Sequence, residues 1–273
     1  MESNQAGKIS LIVSDVDGTL INDNKILTEQ TKATVQNLRN AGILFTVTSA
    51  RPPFGLQEIV KTLDLQYPIG SFNGAAIFSP QGDLIRRTPL DPELIPAIIA
   101  TAENYGLDTW LYSDRHWYIG NPDGFHVEHH QSTLQFKPTV IERKAEIVDD
   151  IFKIIAISSD FDVVYQCEMA LQSKFGDSLA ATRSQPYNLD ITHPLANKGE
   201  AVKQIAQHLN IPTAEIATIG DNFNDISMFA VSGVSIAMGN ADAEVKKQAV
   251  HVSDSNDAEG FAKAIARFIL KSD

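Results

Sequence analysis

Short apolar runs alternate with amphipathic segments in the first third of the chain. Residues 9–13 form a nearly continuous β-favouring run, typical of a strand buried on both faces of a parallel sheet. The spacing that follows predicts a helix capped by Thr28 and ended by Gly42, and residues 43–47 predict a second strand. Strand, helix and strand with short joins indicate a right-handed βαβ crossover.

The last third repeats this alternation. Its pattern predicts a helix at 199–209, a strand at 216–219, a helix at 224–230 and a strand at 234–237. Both ends of the chain are therefore predicted to form one α/β layer structure around a parallel sheet.

The middle of the chain shows a different pattern. Asp91-Pro92-Glu93 is expected to start a helix, and two alternating runs at 109–112 and 116–119 predict a hairpin. A strand at 152–157, a helix at 160–174 and strands at 179–182 and 188–191 follow. This grouping predicts an α+β module inserted between the halves of the α/β domain. The predicted domains are residues 1–85 with 187–273 and residues 86–186, with boundaries near Arg86 and Pro186.

Composition narrows the classes of partner and compartment. The 273 residues suffice for a buried core. The 34 acidic and 22 basic side chains give a net charge of −12, which repels nucleic acid and anionic membrane surfaces. A single cysteine, Cys167, excludes an internal disulfide, and the N-terminal apolar run is too short for a signal peptide. We therefore expect a cytoplasmic protein without nucleic-acid or membrane partners.

Two carboxylates follow the first predicted strand, in Asp15-Val16-Asp17-Gly18-Thr19-Leu20. In open α/β sheets this edge is where ligands bind, and Gly18 permits the sharp turn that lets the two acids converge. Close carboxylates repel each other unless a cation lies between them or one is protonated, which predicts Mg²⁺ binding and acid/base chemistry. The alternative interpretation is an ordinary Asp-Gly turn with a solvated neighbour.

A second acidic segment, Gly220-Asp221-Asn222-Phe223-Asn224-Asp225, follows the strand at 216–219. Two such clusters at one sheet edge would supply the oxygens of a hard-cation site. The alternative interpretation is that Asp225 caps the next helix and that Asn222 only accommodates a left-handed turn. The combination favours the metal, because so much negative charge at a buried edge is unfavourable without one.

Two further segments carry groups suited to phosphate. Lys198 begins a predicted helix, where the helix dipole disfavours a cation unless an anion compensates it. Thr48-Ser49-Ala50-Arg51-Pro52 offers the Ser49 hydroxyl and backbone N–H groups at the end of a strand. A solvated lysine and a plain turn are the alternatives.

These segments, taken in order, resemble the four motifs of haloacid dehalogenase-type phosphohydrolases: Asp15-Val16-Asp17-Gly18-Thr19-Leu20, Ser49, Lys198 and Gly220-Asp221-x-x-Asn224-Asp225. The insertion is similar to the cap of the Cof-type branch, as are Phe72-Asn73-Gly74-Ala75 and Ala237-Met238-Gly239-Asn240-Ala241. Ser49-Ala50-Arg51 departs from the branch, which more often has Thr-Gly-Arg. The resemblance implies a Rossmann-like parallel-sheet core with an inserted α+β cap.

The resemblance also implies a mechanism and a set of residue roles. Asp15 would attack phosphorus and form an aspartyl phosphate, while Asp17 would act as acid and then base. Mg²⁺ would be held by Asp15, the Asp17 backbone and Asp221, with Asp225 in its outer shell. The phosphoryl oxygens would be bound by Lys198, Ser49, Asn224 and the backbone N–H groups of Val16 and Ala50. The implied substrates are small phosphorylated metabolites, with sugar phosphates favoured.

Within the insertion, three residues are candidates for substrate contact if that module closes over the active edge: Arg183, Asn188 and Asp190. Alternation along a half-exposed sheet explains them equally well. His126-Val127-Glu128-His129-His130 has metal-ligand residue types but is expected to be a solvated loop, and Trp110 and Trp117 are expected to pack the insertion's sheet.

Two other functions remain open. A phosphomutase would pass the phosphoryl group to a second sugar hydroxyl instead of water. A non-catalytic phosphoryl-responsive module, like a receiver domain, would also join a phosphorylatable aspartate to Mg²⁺. Asp17 and the insertion of roughly 100 residues argue against the second alternative.

Overall fold

The structure is a computed structural model that describes residues 8–142, 147 and 149–270. Its contacts divide the chain into two compact units. The core unit contains the chain up to Ala50, Glu58–Arg86 and the chain from Asn197 onward, and the insertion unit contains Arg51–Gln57 and Arg87–Ala196. Within the described residues, no helix combines the length and the apolar character needed to cross a membrane.

Fourteen strands and nine α-helices are named below in chain order, all within the described residues. The strands are β1 (Leu11–Ser14), β2 (Leu44–Val47), β3 (Ile69–Ser71), β4 (Ala76–Phe78), β5 (Leu84–Arg87), β6 (Asp108–Tyr112), β7 (Trp117–Ile119), β8 (Thr139–Val140), β9 (Lys153–Ile157), β10 (Ala180–Gln185), β11 (Asn188–Thr192), β12 (Ile216–Gly220), β13 (Val234–Ala237) and β14 (His251–Val252). The helices are α1 (Glu29–Asn40), α2 (Gln57–Thr62), α3 (Ile95–Asn104), α4 (Val127–Leu134), α5 (Phe161–Phe175), α6 (Lys198–Leu209), α7 (Ile226–Phe229), α8 (Ala243–Lys247) and α9 (Gly260–Ala264).

The core unit is built on a parallel five-stranded sheet in the order β14-β13-β12-β1-β2. β1 is an interior strand, with Leu11 paired to Ile216 on one side and to Leu44 on the other. All four β1 residues are buried, as its continuous apolar sequence predicts. The chain leads from β1 to its neighbour β2 on one side, whereas β12 lies on the other side of β1. The carboxyl end of β1 is therefore a topological switch point. The predicted α/β fold class is confirmed.

The helices of the core unit cover this sheet through amphipathic faces. α6 buries Ala201, Val202 and Ile205 in a cluster with Leu11 and Ile216. α1 starts where predicted, because the Thr28 side chain accepts a hydrogen bond from the Thr31 amide at 3.1 Å. A small sheet of order β3-β4-β5 completes the unit, and its short strands were not predicted.

The insertion unit is built on a six-stranded sheet in the order β10-β11-β9-β6-β7-β8. The unit continues to Ala196 and does not end at Pro186, because β11 pairs antiparallel with β9 at its centre. One face of the sheet packs on α3 and α5 through residues such as Leu111, Ile154 and Leu189. Trp110 and Tyr112 alternate with Leu111 and therefore lie on the other face, next to α4.

Two predicted details of this unit are wrong. Asp91 does not cap α3, which begins only at Ile95. The Leu94 amide donates to the Asp91 carbonyl, so the residues between Asp91 and Ile95 form a turn instead. Pro96 lacks the N–H that would join this turn to the helical ladder. Residues 126–130 are not a loop: α4 begins at Val127, directly after His126 in a left-handed conformation.

Candidate active site

The carboxyl ends of β1 and β12 bring the two predicted acidic clusters together. Ser14 and Ile219 are parallel partners, and the Asp15 amide donates to the Ile219 carbonyl at 2.8 Å. Asp15 therefore follows β1 directly beside the loop that carries Asp221 and Asp225. Single carboxylate oxygens of these three aspartates lie within 4.8 Å of one another.

Lys198 is the cation of this cluster. Its Nζ atom lies 2.5 Å from Asp15 Oδ1 and 2.6 Å from Asp225 Oδ1, and the residue is only 1% exposed. The position follows from local structure: Asn197 caps α6 by accepting from the Glu200 amide at 2.9 Å, so Lys198 is the first helical residue. A buried lysine at the start of a helix is unfavourable without nearby negative charge, and these two carboxylates supply that charge.

Asp225 is fully buried, and both of its oxygens are occupied. Oδ1 accepts from Lys198, while Oδ2 accepts from the amides of Asp221 and Asn222 at 2.8 and 2.9 Å. A Cβ atom on Gly220 would lie 2.3 Å from the Asp225 carboxyl carbon, so only glycine fits there. Asp225 therefore fixes the loop that carries Asp221 and holds Lys198. Its side chain does not cap α7 itself but forms a capping box with Asn222 in the 3₁₀ turn that precedes α7, so the capping alternative is correct in part.

Asp221 is held from the turn that follows β1. The Thr19 hydroxyl donates to Asp221 Oδ1 at 2.8 Å, and Asn240 Nδ2 donates to the Gly18 carbonyl at 2.9 Å. Gly18 has a φ of +79°, and a Cβ atom there would lie 2.3 Å from Asp221 Oδ2. The turn thus needs glycine both for its backbone conformation and for the close approach of the carboxylate.

The electrostatics of the cluster suit a bound cation. Burial raises the pKa of Asp15 well above its usual range against the opposing effect of Lys198, and burial together with Asp225 raises the pKa of Asp221 to about 6. Burial lowers the pKa of Lys198, but Asp15 and Asp225 outweigh it and raise the pKa above its ordinary value. A single buried ammonium therefore does not balance the negative charge of the three carboxylates. Carboxylate oxygens converging in this way are the donor set that Mg²⁺ prefers.

Asp17 lies beyond this buried cluster and is partly exposed. Its Oδ1 forms an ion pair with Lys25 Nζ at 2.8 Å, and its side chain is 36% exposed. Because Lys25 is itself 55% exposed, the pair is solvated and easily broken. The Asp17 carboxylate is accordingly accessible from solvent.

The predicted phosphate-binding residues surround the same strand ends. Ser49 follows β2 and is buried, Val16 is buried after β1, and Ala50 is partly buried. Asn224 donates from Nδ2 to Asn73 Oδ1 at 3.0 Å, and its own Oδ1 is buried without a partner among the described residues. Asn73 has a φ of +56° and donates its amide to the Ser49 carbonyl, which ties the loop after β3 to Ser49.

The three substrate candidates of the insertion unit do not lie together. Arg183 donates from Nε to Glu168 of α5 at 2.7 Å and its guanidinium stacks on Tyr165, so it is committed to the helix-covered face. Asp190 faces the other side and pairs with Lys153 at 2.8 Å, next to Asn188. The structure therefore separates Arg183 from Asn188 and Asp190.

Four further residues contribute to the site: Thr19, Lys25, Asn73 and Asn240. Asn73 and Asn240 stand in the two segments that resemble the Cof-type branch, which is the signal that pointed to them. Thr19 sits in the first motif without having been assigned a role. Lys25 had no sequence signal, since its contact with Asp17 depends on a loop with a positive φ at Lys25.

Comparison with known proteins finds similarity over nearly the whole chain. A family model described as haloacid dehalogenase-like hydrolase matches residues 12–265. The 5-amino-6-(5-phospho-D-ribitylamino)uracil phosphatase YwtE of Bacillus subtilis is 30% identical, covering 94% of this chain and 97% of the relative. The phosphatase YwpJ of Bacillus subtilis is 25% identical, covering 93% of this chain and 98% of its own.

Solved structures show the same architecture. A haloacid dehalogenase-like hydrolase from Bacteroides thetaiotaomicron superposes with a TM-score of 0.88 at 26% identity, covering 95% of this chain and 99% of its own. A subclass IIB sugar phosphatase superposes with a TM-score of 0.82 at 22% identity, covering 95% of this chain and 98% of its own. The second likeness concerns the fold alone.

Proposed function

Because the chain belongs to the haloacid dehalogenase-like hydrolases and is a phosphatase, we propose that it hydrolyses small phosphorylated metabolites with Mg²⁺ through an aspartyl-phosphate intermediate. The observation that carries the proposal is the position of Asp15 at the end of β1. It is buried, in contact with the ammonium of Lys198 and beside Asp221.

Asp15 is the proposed nucleophile. One of its oxygens attacks phosphorus, the bond from phosphorus to the ester oxygen breaks, and an acyl phosphate forms. Lys198 contacts Oδ1 of Asp15, so it orients the carboxylate and brings positive charge to the phosphoryl group. Ser49, Asn224 and the N–H groups of Val16 and Ala50 are proposed to bind the other phosphoryl oxygens.

Asp17 is the proposed acid and base. It gives a proton to the leaving oxygen in the first step. In the second step it takes a proton from a water molecule. That water attacks phosphorus, the bond between phosphorus and the Asp15 oxygen breaks, and inorganic phosphate is released. Its exposure and its weak pair with Lys25 support this role, because the carboxyl must exchange partners during the cycle.

Asp15, the Asp17 backbone carbonyl and Asp221 are the proposed Mg²⁺ ligands. When bound, the ion offsets the repulsion between the carboxylate nucleophile and an anionic phosphate. Asp225 contributes from outside this set, since its two oxygens are already occupied by Lys198 and two backbone amides. We propose that it holds the Asp221 loop in place.

The proposed substrates are phosphorylated sugars and sugar alcohols. The relative YwtE is named for a phosphoribityl compound, and a sugar alcohol phosphate is a close chemical analogue of a sugar phosphate. A phosphomutase remains the alternative with the same chemistry. Stoichiometric release of inorganic phosphate from a single substrate, without an isomeric sugar phosphate, distinguishes the hydrolase.

Replacing the nucleophile tests the central step. We expect Asp15→Asn to reduce release of phosphate from p-nitrophenyl phosphate by at least about 10³-fold, since an amide cannot form the acyl phosphate. Circular dichroism should show an intact fold. Asp83→Asn, in an exposed turn, is the control and should retain activity. Rapid-quench mass spectrometry should find the phosphoryl group on Asp15, and a label on another side chain would refute the mechanism.

A further inference from the structure

The turn between β3 and β4 has an unusual backbone. Ser71 pairs with Ala76, and between them Phe72, Asn73 and Gly74 have φ angles of +52°, +56° and +94°. Left-handed φ angles are unfavourable for residues with a side chain, and most of all for bulky ones. A hairpin loop of this length is usually built on a type I turn, whose φ angles are negative. The hairpin alone therefore does not explain residues 72–74, which we call the left-handed turn, so the explanation lies in its contacts.

The first contact is with the backbone of Ser49. Asn73 donates its amide to the Ser49 carbonyl at 2.9 Å, and the Ser49 amide donates to the Gly70 carbonyl at 3.0 Å. Both backbone groups of Ser49 are thus bound by β3 and by the turn that follows it. Ser49 is buried at the end of β2, in the segment whose hydroxyl and N–H groups are proposed to bind phosphoryl oxygens. The direction of these groups therefore depends on the left-handed turn.

The second contact is with the side chain of Asn224. Its Nδ2 atom donates to Asn73 Oδ1 at 3.0 Å. A primary amide carries two N–H groups on this nitrogen, and Asn73 accepts one of them. This hydrogen bond fixes the plane of the Asn224 amide and with it the direction of the second N–H group. That second group is the donor through which Asn224 would bind a phosphoryl oxygen.

The third contact is with the start of α6. A Cβ atom on Gly74 would lie 2.6 Å from the Asn197 carbonyl oxygen and 2.9 Å from the Ala201 side chain. Only glycine permits this approach of two backbones. Asn197 caps α6 and Lys198 follows it directly, so the left-handed turn packs against the segment from which the buried ammonium projects.

We propose that the left-handed turn fixes the relative positions of three phosphate-binding side chains, those of Ser49, Asn224 and Lys198. Asn73 is the positioning residue, because it contacts two of the three segments. The three side chains come from separate parts of the core unit, and one turn holds them in place before a ligand arrives. Such preorganisation strengthens binding and speeds reaction. The inference rests on the proposed function, which assigns these groups to phosphate.

Two substitutions separate the backbone of Asn73 from its side chain. Asn73→Gly keeps the left-handed backbone and the amide that binds Ser49, but it removes the acceptor for Asn224. Asn73→Ala removes the acceptor and also disfavours the left-handed backbone. Isothermal titration calorimetry with inorganic phosphate and Mg²⁺ measures the effect without turnover. We expect Asn73→Gly to weaken phosphate binding about fivefold and Asn73→Ala at least about tenfold.

Asn210 offers a matched control. It has a φ of +54°, is exposed and ends α6, at the opposite end of that helix from Lys198. Asn210→Gly and Asn210→Ala therefore make the same changes to a left-handed asparagine away from the phosphate-binding groups, and both should bind phosphate like the parent protein. Circular dichroism verifies the fold of each variant. Parent-like affinity in both Asn73 variants, or an equal loss in the Asn210 variants, would overturn the proposal.

A double-mutant cycle tests whether the Asn73 side chain acts through Asn224. Asn224→Ala alone should weaken phosphate binding about fivefold. Adding Asn73→Gly should weaken it by less than about twofold more, because the Asn73 amide then has no donor to orient. A side chain that only stabilises the fold would give losses that multiply, and that result would contradict the positioning role.

Kinetics separate this inference from the proposed function. In Asn73→Gly, kcat/KM for p-nitrophenyl phosphate and for ribose 5-phosphate should fall by the same factor, because the two substrates share only the phosphoryl group. A parent protein that hydrolyses both substrates, together with an Asn73→Gly variant that matches it, would refute the inference alone. A parent protein that neither binds phosphate nor hydrolyses either substrate would refute the proposed function, and the inference with it.

Discussion

At the scale of single residues, the candidate active site is organised by one buried ammonium, that of Lys198. Lys198 joins carboxylates from two different loops, Asp15 after β1 and Asp225 after β12. An isolated buried charge is very unfavourable, so each of the three groups depends on the others for its place in the fold. Their arrangement stabilises the resting protein, and we propose that it also places charge during the reaction.

This dependence predicts a large effect of Lys198→Gln. In the metal-free protein we expect the free energy of unfolding to fall by about 3–5 kcal/mol, because two buried carboxylates lose their cation. Asp225→Asn in the same background should recover part of the loss. Urea unfolding followed by circular dichroism measures both. Lys203→Gln, exposed on the same helix, should change stability by less than about 0.5 kcal/mol; an equal loss there would refute the explanation.

His130 predicts a dependence of stability on pH. Its pKa is lowered to about 3 in the folded protein, while the unfolded chain takes up the proton near 6.5. Neutral His130 therefore contributes fully to the free energy of unfolding above about pH 6.5, and this contribution is lost as the pH falls from there toward 3. Between about pH 7 and pH 5 the loss is roughly 2 kcal/mol.

Urea unfolding followed by tryptophan fluorescence measures this loss, because both tryptophans lie in the insertion unit. We expect His130→Gln to change the difference between the two pH values by roughly 2 kcal/mol relative to the parent protein, while it retains a hydrogen-bond partner for Tyr112. His129→Gln is the control: it leaves His130 buried and should keep the difference. A variant at His130 with the full pH dependence would show that another group causes it.

The identity of the acidic residues was predictable from the sequence, whereas their partners were not always so. Asp15 and Asp221 follow apolar strands, a local pattern that predicts their place at the sheet edge. The contact between Asn240 and the Gly18 carbonyl joins residues far apart in the chain and has no local signal. Arg183 shows the same limit, because only the packing of α5 on β10 determines that it meets Glu168.

At the scale of elements, the turn after β1 brings Asp221 against the backbone at Gly18. Two demands coincide at this glycine, a left-handed backbone and a space that a Cβ atom would fill. Gly42, at the end of α1, has a similar φ of +73° but no atom within 4 Å of a Cβ position. Substitutions at these two glycines therefore distinguish the effect of backbone strain from the effect of steric crowding.

We expect Gly18→Ala to lower phosphatase activity by about 10²-fold, because the added methyl displaces Asp221 from its place beside Asp15. Gly42→Ala should lose only about 1 kcal/mol of stability from its backbone conformation and keep its activity. Steady-state kinetics and thermal unfolding of the two variants provide the comparison. Similar activity in both would show that the Asp221 contact does not require glycine at position 18.

Elements with strong local signals were predicted well. The Thr28 cap, the hairpin of β6 and β7 and strand β13 follow from hydrophobic period and capping chemistry. α3 began later than predicted because Pro96 interrupts the ladder, and α4 was missed because His126, which precedes it, has no capping side chain. Such starts are decided by tertiary packing and not by the residues nearby.

At the scale of the whole molecule, the alternation of strands and helices predicted the fold class, and the change of pattern predicted an insertion. The boundary after the insertion was less accessible. The predicted boundary near Pro186 falls in the turn between β10 and β11, and only the pairing of β11 with β9 reveals that the unit continues.

The net charge of −12 and the acidic cluster together predict stabilisation by Mg²⁺. At about 100 times the dissociation constant, binding to the folded state should add about 2.7 kcal/mol and raise Tm by several degrees. EDTA should remove this gain and stop turnover, and added Mg²⁺ should restore both. Thermal unfolding and phosphate release measure the two effects. Asp221→Asn should abolish the shift, and a full shift in that variant would exclude Asp221 as a ligand.

Cys167, the one cysteine of the chain, lies fully buried on α5 against the core of the insertion unit, where burial raises the pKa of its thiol to about 11. A thiol in this state reacts with alkylating reagents only when its surroundings open. The rate of alkylation of the native protein therefore reports local opening of this half of the molecule. Because the native thiol is inert, a single cysteine engineered into the core unit can carry a spectroscopic probe without prior removal of Cys167.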